Sequence, residues 1–153
     1  MEERVKKVLG KLQAQCAKRE YCTRDVLGKA LKALEGDAAA AKEVTDALRA
    51  DGFVDDARYA AAFAREKSSL TGWGPIKIRF ALKAKGLADA DISAGLGEID
   101  GERAGDRLSR LLAVKAKSLE GDPQARLKLI KFALTRGYEY DAVEAAVKKQ
   151  ESK

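Results

Sequence analysis

Helix-ending signals recur along this chain at a fixed interval. Gly36, Gly86 and Gly137 each close an amphipathic stretch, and they fall about 50 residues apart. Around the last two, the chain nearly repeats itself. Phe80-Ala81-Leu82-Lys83-Ala84-Lys85-Gly86-Leu87 is similar to Lys131-Phe132-Ala133-Leu134-Thr135-Arg136-Gly137-Tyr138. Each is an apolar–basic helix end, a glycine, an apolar residue and then an acid-started helix. A period of this length belongs to stacked helical repeats, whose units bury too little area alone and need a neighbour. It predicts an all-α chain of three tandem three-helix repeats, over 1–53, 54–100 and 101–150, forming an elongated, curved body. The competing arrangement is one compact bundle with accidental spacing.

The helical period supports this reading throughout. Val5, Val8, Leu9, Leu12 and Cys16 make a first stripe. Val26, Ala30, Ala33 and Leu34 make a second, with Thr23 as its N-cap. Asp37 caps a third helix carrying Ala40, Val44, Ala47 and Leu48, and Gly52 ends it. Asp55 caps a fourth, with Val54 and Tyr59 at the spacing of a hydrophobic staple. A fifth helix runs from the Gly72-Trp73-Gly74-Pro75 break to Lys85. Asp89 caps a sixth with Ile92, Leu96 and Ile99 inward, and a seventh uses Ala104, Leu108, Leu111 and Leu112. Asp122-Pro123 starts an eighth, as N-cap and first helical residue, and a ninth carries Val143, Ala146 and Val147.

Composition closes off several function classes. Histidine is absent from the 153 residues, so no imidazole serves as base or ligand. Cys16 and Cys22 are too few for a disulfide scaffold or a four-ligand zinc site, and read as free thiols in a reducing compartment. Gly28-Lys29 lacks the earlier glycine and the following Ser or Thr of a phosphate-binding loop. Asp55 and Asp56 are neighbours and would point about 100° apart on a helix, which suits a cap and not a catalytic pair. No catalytic residue, metal or cofactor is therefore expected. Apolar runs are short, and no signal-peptide pattern opens the chain; a soluble cytoplasmic protein without membrane contact is expected.

What remains is surface. The net charge is +6, which fits a polyanionic or acidic partner but equally a solubilising charge. Location favours the first. Thr71 to Leu87 holds Lys77, Arg79, Lys83 and Lys85 with no acid, and Pro123 to Tyr138 holds Arg126, Lys128, Lys131 and Arg136 with none. Both clusters sit on the middle helix of their unit. In the second, Lys128, Lys131 and Thr135 are expected on the face opposite Leu127, Ile130 and Leu134. Such a stripe matches a nucleic acid or an acidic filament groove; the plainer reading is a pair of solvated helix faces. Trp73, flanked by glycines, is either a wedge at a joint between units or an exposed stacking platform.

Four segments, in order, resemble a known family. Gly52-Phe53-Val54-Asp55-Asp56-Ala57-Arg58-Tyr59-Ala60, followed by Phe63, resembles the central signature of RecX proteins. Upstream, Cys16-Ala17-Lys18-Arg19-Glu20-Tyr21-Cys22-Thr23 resembles the segment opening the first middle helix. Downstream, Trp73-Gly74-Pro75-Ile76-Lys77-Ile78 with Leu82 and Lys85-Gly86, and later Arg136-Gly137-Tyr138, resemble the second- and third-unit patterns. Gly52, Phe53, Asp55, Asp56, Arg58, Tyr59, Trp73, Gly86 and Gly137 would be structural members of the signature. The resemblance implies a partner, the RecA filament on single-stranded DNA, with the protein lying in its groove. It also implies an effect: less filament extension, ATP turnover, strand exchange and co-protease activity. Direct DNA binding would be secondary, and the protein would act as a monomer. The first unit departs from the pattern, ending in Leu34-Glu35-Gly36 without the basic residue before glycine. The alternative function is a non-enzymatic helical DNA-binding module with no RecA requirement.

Overall fold

The structure is a computed structural model that describes residues 1–99 and 101–152, with Glu102 described by its backbone only. The regular elements of the described residues are all α-helices. They are α1 (Glu3–Lys18), α2 (Thr23–Ala33), α3 (Ala38–Ala50), α4 (Asp56–Leu70), α5 (Pro75–Ala84), α6 (Asp89–Leu96), α7 (Gly101–Ser118), α8 (Ala125–Thr135) and α9 (Tyr140–Glu151). The packing falls into two compact units. One holds Met1–Ala62 and Leu82–Gly95, the other Phe63–Ala81 and Leu96–Lys153. The residues of the expected middle repeat are thus apportioned between the two.

In the first unit, α1, α2 and α3 pack on one another around Val5, Leu12, Val26, Ala30, Leu34, Val44 and Leu48. Ala40 and Ala41 keep the α3 face flat, so the helices approach closely at little side-chain entropy cost. Asp37 caps α3 as expected, its carboxylate accepting from the Ala40 N–H at 3.1 Å. Arg4 of α1 reaches the same carboxylate at 2.6 Å and holds it below the usual Asp range, together with the Ala40 N–H. Two expectations are corrected here. The N-cap of α2 is Cys22, not Thr23. Ala33 lies outside the core and is exposed, because the buried line runs Val26, Ala30, Leu34.

In the second unit, α7, α8 and α9 enclose Leu108, Leu112, Leu129, Ala133, Tyr138, Val143 and Val147. Gly137 ends α8 with φ 93°, a left-handed backbone that glycine adopts without strain. Its carbonyl accepts from the Ile76 N–H at 2.9 Å, and the Arg136 carbonyl accepts from the Gly74 N–H at 2.7 Å. A Cβ on Gly74 would lie 2.5 Å from the Gly137 carbonyl carbon, so the two glycines let backbone meet backbone.

The eighth helix departs from expectation twice. Asp122 and Pro123 do not begin it; they form a turn in which Asp122 accepts from the Gln124 N–H at 2.8 Å, and the helix starts at Ala125. Its inward face is Leu129 and Ala133, flanked by Ile130 and Phe132; of the expected Leu127, Ile130 and Leu134, only Ile130 packs against the core. Leu127 is 65% and Leu134 41% exposed. The segment is apolar on nearly every side, so periodicity alone does not fix which side faces in.

Candidate functional site

The signature at the start of α4 is built from interlocking caps. Gly52 ends α3 at φ 77°. Asp55 accepts from the Arg58 N–H at 3.1 Å, closing the first turn of α4. Asp56 faces elsewhere: one carboxylate oxygen takes both the Thr23 N–H at 2.8 Å and the Thr23 hydroxyl at 3.0 Å. It therefore satisfies an orphan donor at the start of α2, a helix thirty-three residues upstream. Arg58 folds back onto the carbonyls of Gly52 and Phe53, at 3.1 and 3.3 Å, and pairs with Glu20 at 2.5 Å. Tyr59 is buried, which pushes its phenol above the ordinary range. Each of these groups has a structural task.

The thiols fit the same pattern. Burial pushes both Cys16 and Cys22 up, which disfavours the nucleophilic thiolate. Among the described residues, no group of three or more His, Cys, Asp or Glu is placed to hold a metal ion. Among them also, no helix is long and apolar enough to cross a membrane.

The eight basic residues of the expected binding stripe divide by environment. Lys85 is half-buried, 3.4 Å from Asp25 and over the Tyr59 ring. Burial alone would lower its pKa; the Tyr59 hydroxyl and Asp25 outweigh that and hold it above the ordinary lysine value. Lys77 sits over the Trp73 ring at 4.7 Å. Arg136 stacks on Phe132 at 5.0 Å and donates to the Thr71 carbonyl at 3.1 Å. Lys83 pairs with Asp89, Arg126 with Glu151 and Lys128 with Asp122. The Arg79 and Lys131 side chains are exposed and have no ion pair or hydrogen bond among the described residues. Each neighbours exposed apolar side chains on its own helix. Phe80, 78% exposed, and Ile76 stand beside Arg79 on α5, and Leu127 and Leu134 flank Lys131 on α8. These outward faces are mixed, apolar and basic together, and not simply charged. Trp73 meets Phe63 edge-on at 6.3 Å, with the Lys67 and Lys77 ammonium groups over its ring, so it is a packed ring and not a bare platform.

One concavity lay outside the sequence reading. In the second unit, the 68–72 segment, α7 and α8 enclose a groove of about 620 Å³. Its cations are Arg107, Arg110, Lys115 and Arg136, and none of the described residues lining it is acidic. The sequence signal was present: Arg107, Leu111, Val114 and Ser118 recur at i, i+4, i+7 and i+11, one mixed face of α7 beside the buried Leu108 and Leu112.

Comparison with known proteins places this arrangement. Residues 55–96 match the family model for the RecX second three-helix domain. The regulatory protein RecX of Xanthomonas axonopodis pv. citri (strain 306) is 32% identical over 148 residues, covering 94% of this chain and 85% of that protein. The regulatory protein RecX of Pseudomonas putida (strain F1) is 36% identical over 101 residues, 64% of this chain and 62% of that one. Two solved structures share the fold. The crystal structure of RecX from Lactobacillus salivarius covers all of both chains with a TM-score of 0.90 at 18% identity. A crystal structure of a regulatory protein RecX covers 96% of this chain and 72% of its own with a TM-score of 0.84 at 21% identity. The chain is a member of the RecX family of regulatory proteins.

Proposed function

We propose that this chain regulates the RecA recombinase by binding the groove of the RecA filament on single-stranded DNA. Bound there, it limits filament extension and with it ATP turnover, strand exchange and co-protease activity. The observation that carries this reading is the near full-length kinship with RecX regulators, in a chain whose Asp55, Asp56 and Arg58 are engaged in caps and clamps. A regulator without chemistry of its own must act by occupying surface. The outward faces of α5 and α8 supply that surface: Arg79 beside Ile76 and Phe80, and Lys131 beside Leu127 and Leu134. Mixed apolar and basic faces suit a protein partner better than a bare phosphate backbone, since apolar area contributes affinity only where the partner also loses water. Three three-helix units, over 1–53, 54–100 and 101–150, remain the proposed division of the binding body. The match of residues 55–96 to a second three-helix domain supports it. The protein acts as a monomer in the cytoplasm, and any direct DNA contact is secondary.

The test is RecA ATPase on single-stranded DNA with and without the protein. A fall in turnover at fixed DNA concentration is expected, with binding to RecA–DNA far tighter than to DNA alone. A module that binds DNA for its own sake would instead bind equally without RecA, and would lose affinity steeply as salt rises.

A further inference from the structure

The groove of the second unit takes Phe132 from α8 and Arg136 from its C-cap, but none of Arg79, Phe80, Leu127 and Lys131, which make the outward faces of α5 and α8. Arg107 and Arg136 are committed at one end each. Arg107 donates to the buried Ser68 hydroxyl at 2.5 Å, and Arg136 to the Thr71 carbonyl at 3.1 Å. These bonds fix both guanidinium groups at the groove wall while leaving other N–H donors of each fork unused in them. The Arg110 side chain is exposed and has no ion pair or hydrogen bond among the described residues. Between the cations run aliphatic side chains that water should not favour: Leu70, 78% exposed, Val114, 73% exposed, and the half-buried Leu111.

The aliphatic lining decides between anions. A single-stranded nucleic acid would need a free aromatic face for its bases to stack on. The aromatic ring here, Phe132, already carries Lys115 at 5.5 Å and Arg136 at 5.0 Å from its centroid. Leu70, Leu111 and Val114 have no π-face to offer. Carboxylates meet Arg in bidentate pairs, and a leucine-sized side chain buries well among aliphatic neighbours.

We propose that this groove docks an acidic, leucine-bearing peptide segment of a partner protein, with Arg110 as its free carboxylate receptor and Val114 as part of its apolar seat. Arg107 and Arg136, held from behind, supply the fixed positive field. This needs no particular partner, and it stands whether or not the filament reading above is correct.

The experiment uses the full chain and a fluorescently labelled peptide of repeating Asp-Asp-Leu, followed by fluorescence anisotropy. Companion probes replace Asp by Asn, replace Leu by Ser, or substitute an oligothymidylate of similar length. The Asp-Asp-Leu peptide is expected to bind, and both altered peptides to bind far less. Arg110→Glu should weaken binding by roughly tenfold or more, and Val114→Ser several-fold. Both side chains are exposed, and circular dichroism should show unchanged helix content. Lys7→Glu, an equal charge change on α1, should leave the affinity alone. Four outcomes overturn the proposal: no binding of the Asp-Asp-Leu peptide, a loss with Lys7→Glu as large as with Arg110→Glu, indifference to Val114→Ser and to the Leu-to-Ser peptide, or an Arg110-dependent site that takes the oligothymidylate in preference to the peptide.

Discussion

Gly36 and Gly137 hold the same left-handed backbone, at φ 84° and 93°, yet a methyl group would meet different surroundings at each. Around Gly36 an added Cβ has nothing within 4 Å. Around Gly137 it would run into the backbone and Cβ of Lys77. Gly36→Ala should therefore cost about 1 kcal/mol, from conformation alone. Gly137→Ala should cost clearly more, about 2–4 kcal/mol, because strain and overlap add. Urea unfolding of the two variants checks this, and equal midpoints would show that the α5–α8 backbone contact yields freely. The adjacent acids make a second contrast. Asp55→Ala removes a local N-cap and should cost about 0.5–2 kcal/mol; a thermal melt identical to the parent would remove that role. The cap was readable in the sequence because N-cap and N3 are three residues apart. The partner of Asp56 was not, because Thr23 lies on another helix and no spacing rule connects them.

At the scale of the element, the sequence yields most where a helix has one apolar side. In α3, Ala40, Val44 and Leu48 are buried as their spacing requires, and Asp37 and Gly52 mark its ends. In α8 the pattern Leu127, Leu129, Ile130, Phe132, Ala133, Leu134 offers apolar residues in almost every direction, and tertiary packing selects Leu129 and Ala133. The excess of apolar side chains is itself informative, since those not needed inside are displayed outside. A direct comparison tests the assignment. Leu129→Ala empties a core site and should cost about 2–5 kcal/mol. Leu127→Ala should stay within about 0.5 kcal/mol of the parent, as exposed substitutions do. The reverse order would restore Leu127 to the core and turn the face of α8 around.

At the scale of the whole molecule, kinship was legible from short, ordered segments because the signature residues lock local structure that few other residue types would form. Arg58 clamping the Gly52 and Phe53 carbonyls is one such lock. Of the groove only the α7 wall was legible, since the 68–72 segment and α8 that complete it lie far from α7 in the chain. The same limit applied to the basic stripe. Eight cations looked equivalent in sequence, but side-chain partners separated them. Lys85, Arg136 and Lys77 are tied into their surroundings, and Lys83, Arg126 and Lys128 each face a carboxylate. Exposed ion pairs of this kind contribute little to stability, but they neutralise the charge a partner would meet.

That sorting ranks the substitutions expected to weaken the proposed regulation of RecA. Arg79 and Lys131 present unneutralised charge beside exposed apolar groups, so they should dominate over Lys83, Arg126 and Lys128. Arg79→Glu with Lys131→Glu should leave circular dichroism and melting temperature close to the parent, because neither side chain is buried or bonded among the described residues. Inhibition of RecA ATPase on single-stranded DNA should then require at least about tenfold more protein, the size expected when two contact charges are reversed. Lys83→Glu with Lys128→Glu changes the net charge equally, yet should weaken inhibition less. Phe80→Ala should weaken inhibition at unchanged charge, and this effect should persist at high salt, where purely ionic contacts fade. If the Lys83 and Lys128 pair proved as damaging as Arg79 and Lys131, the interaction would follow net charge alone. If all of these variants inhibited like the parent, the α5 and α8 faces would have no part in contacting RecA.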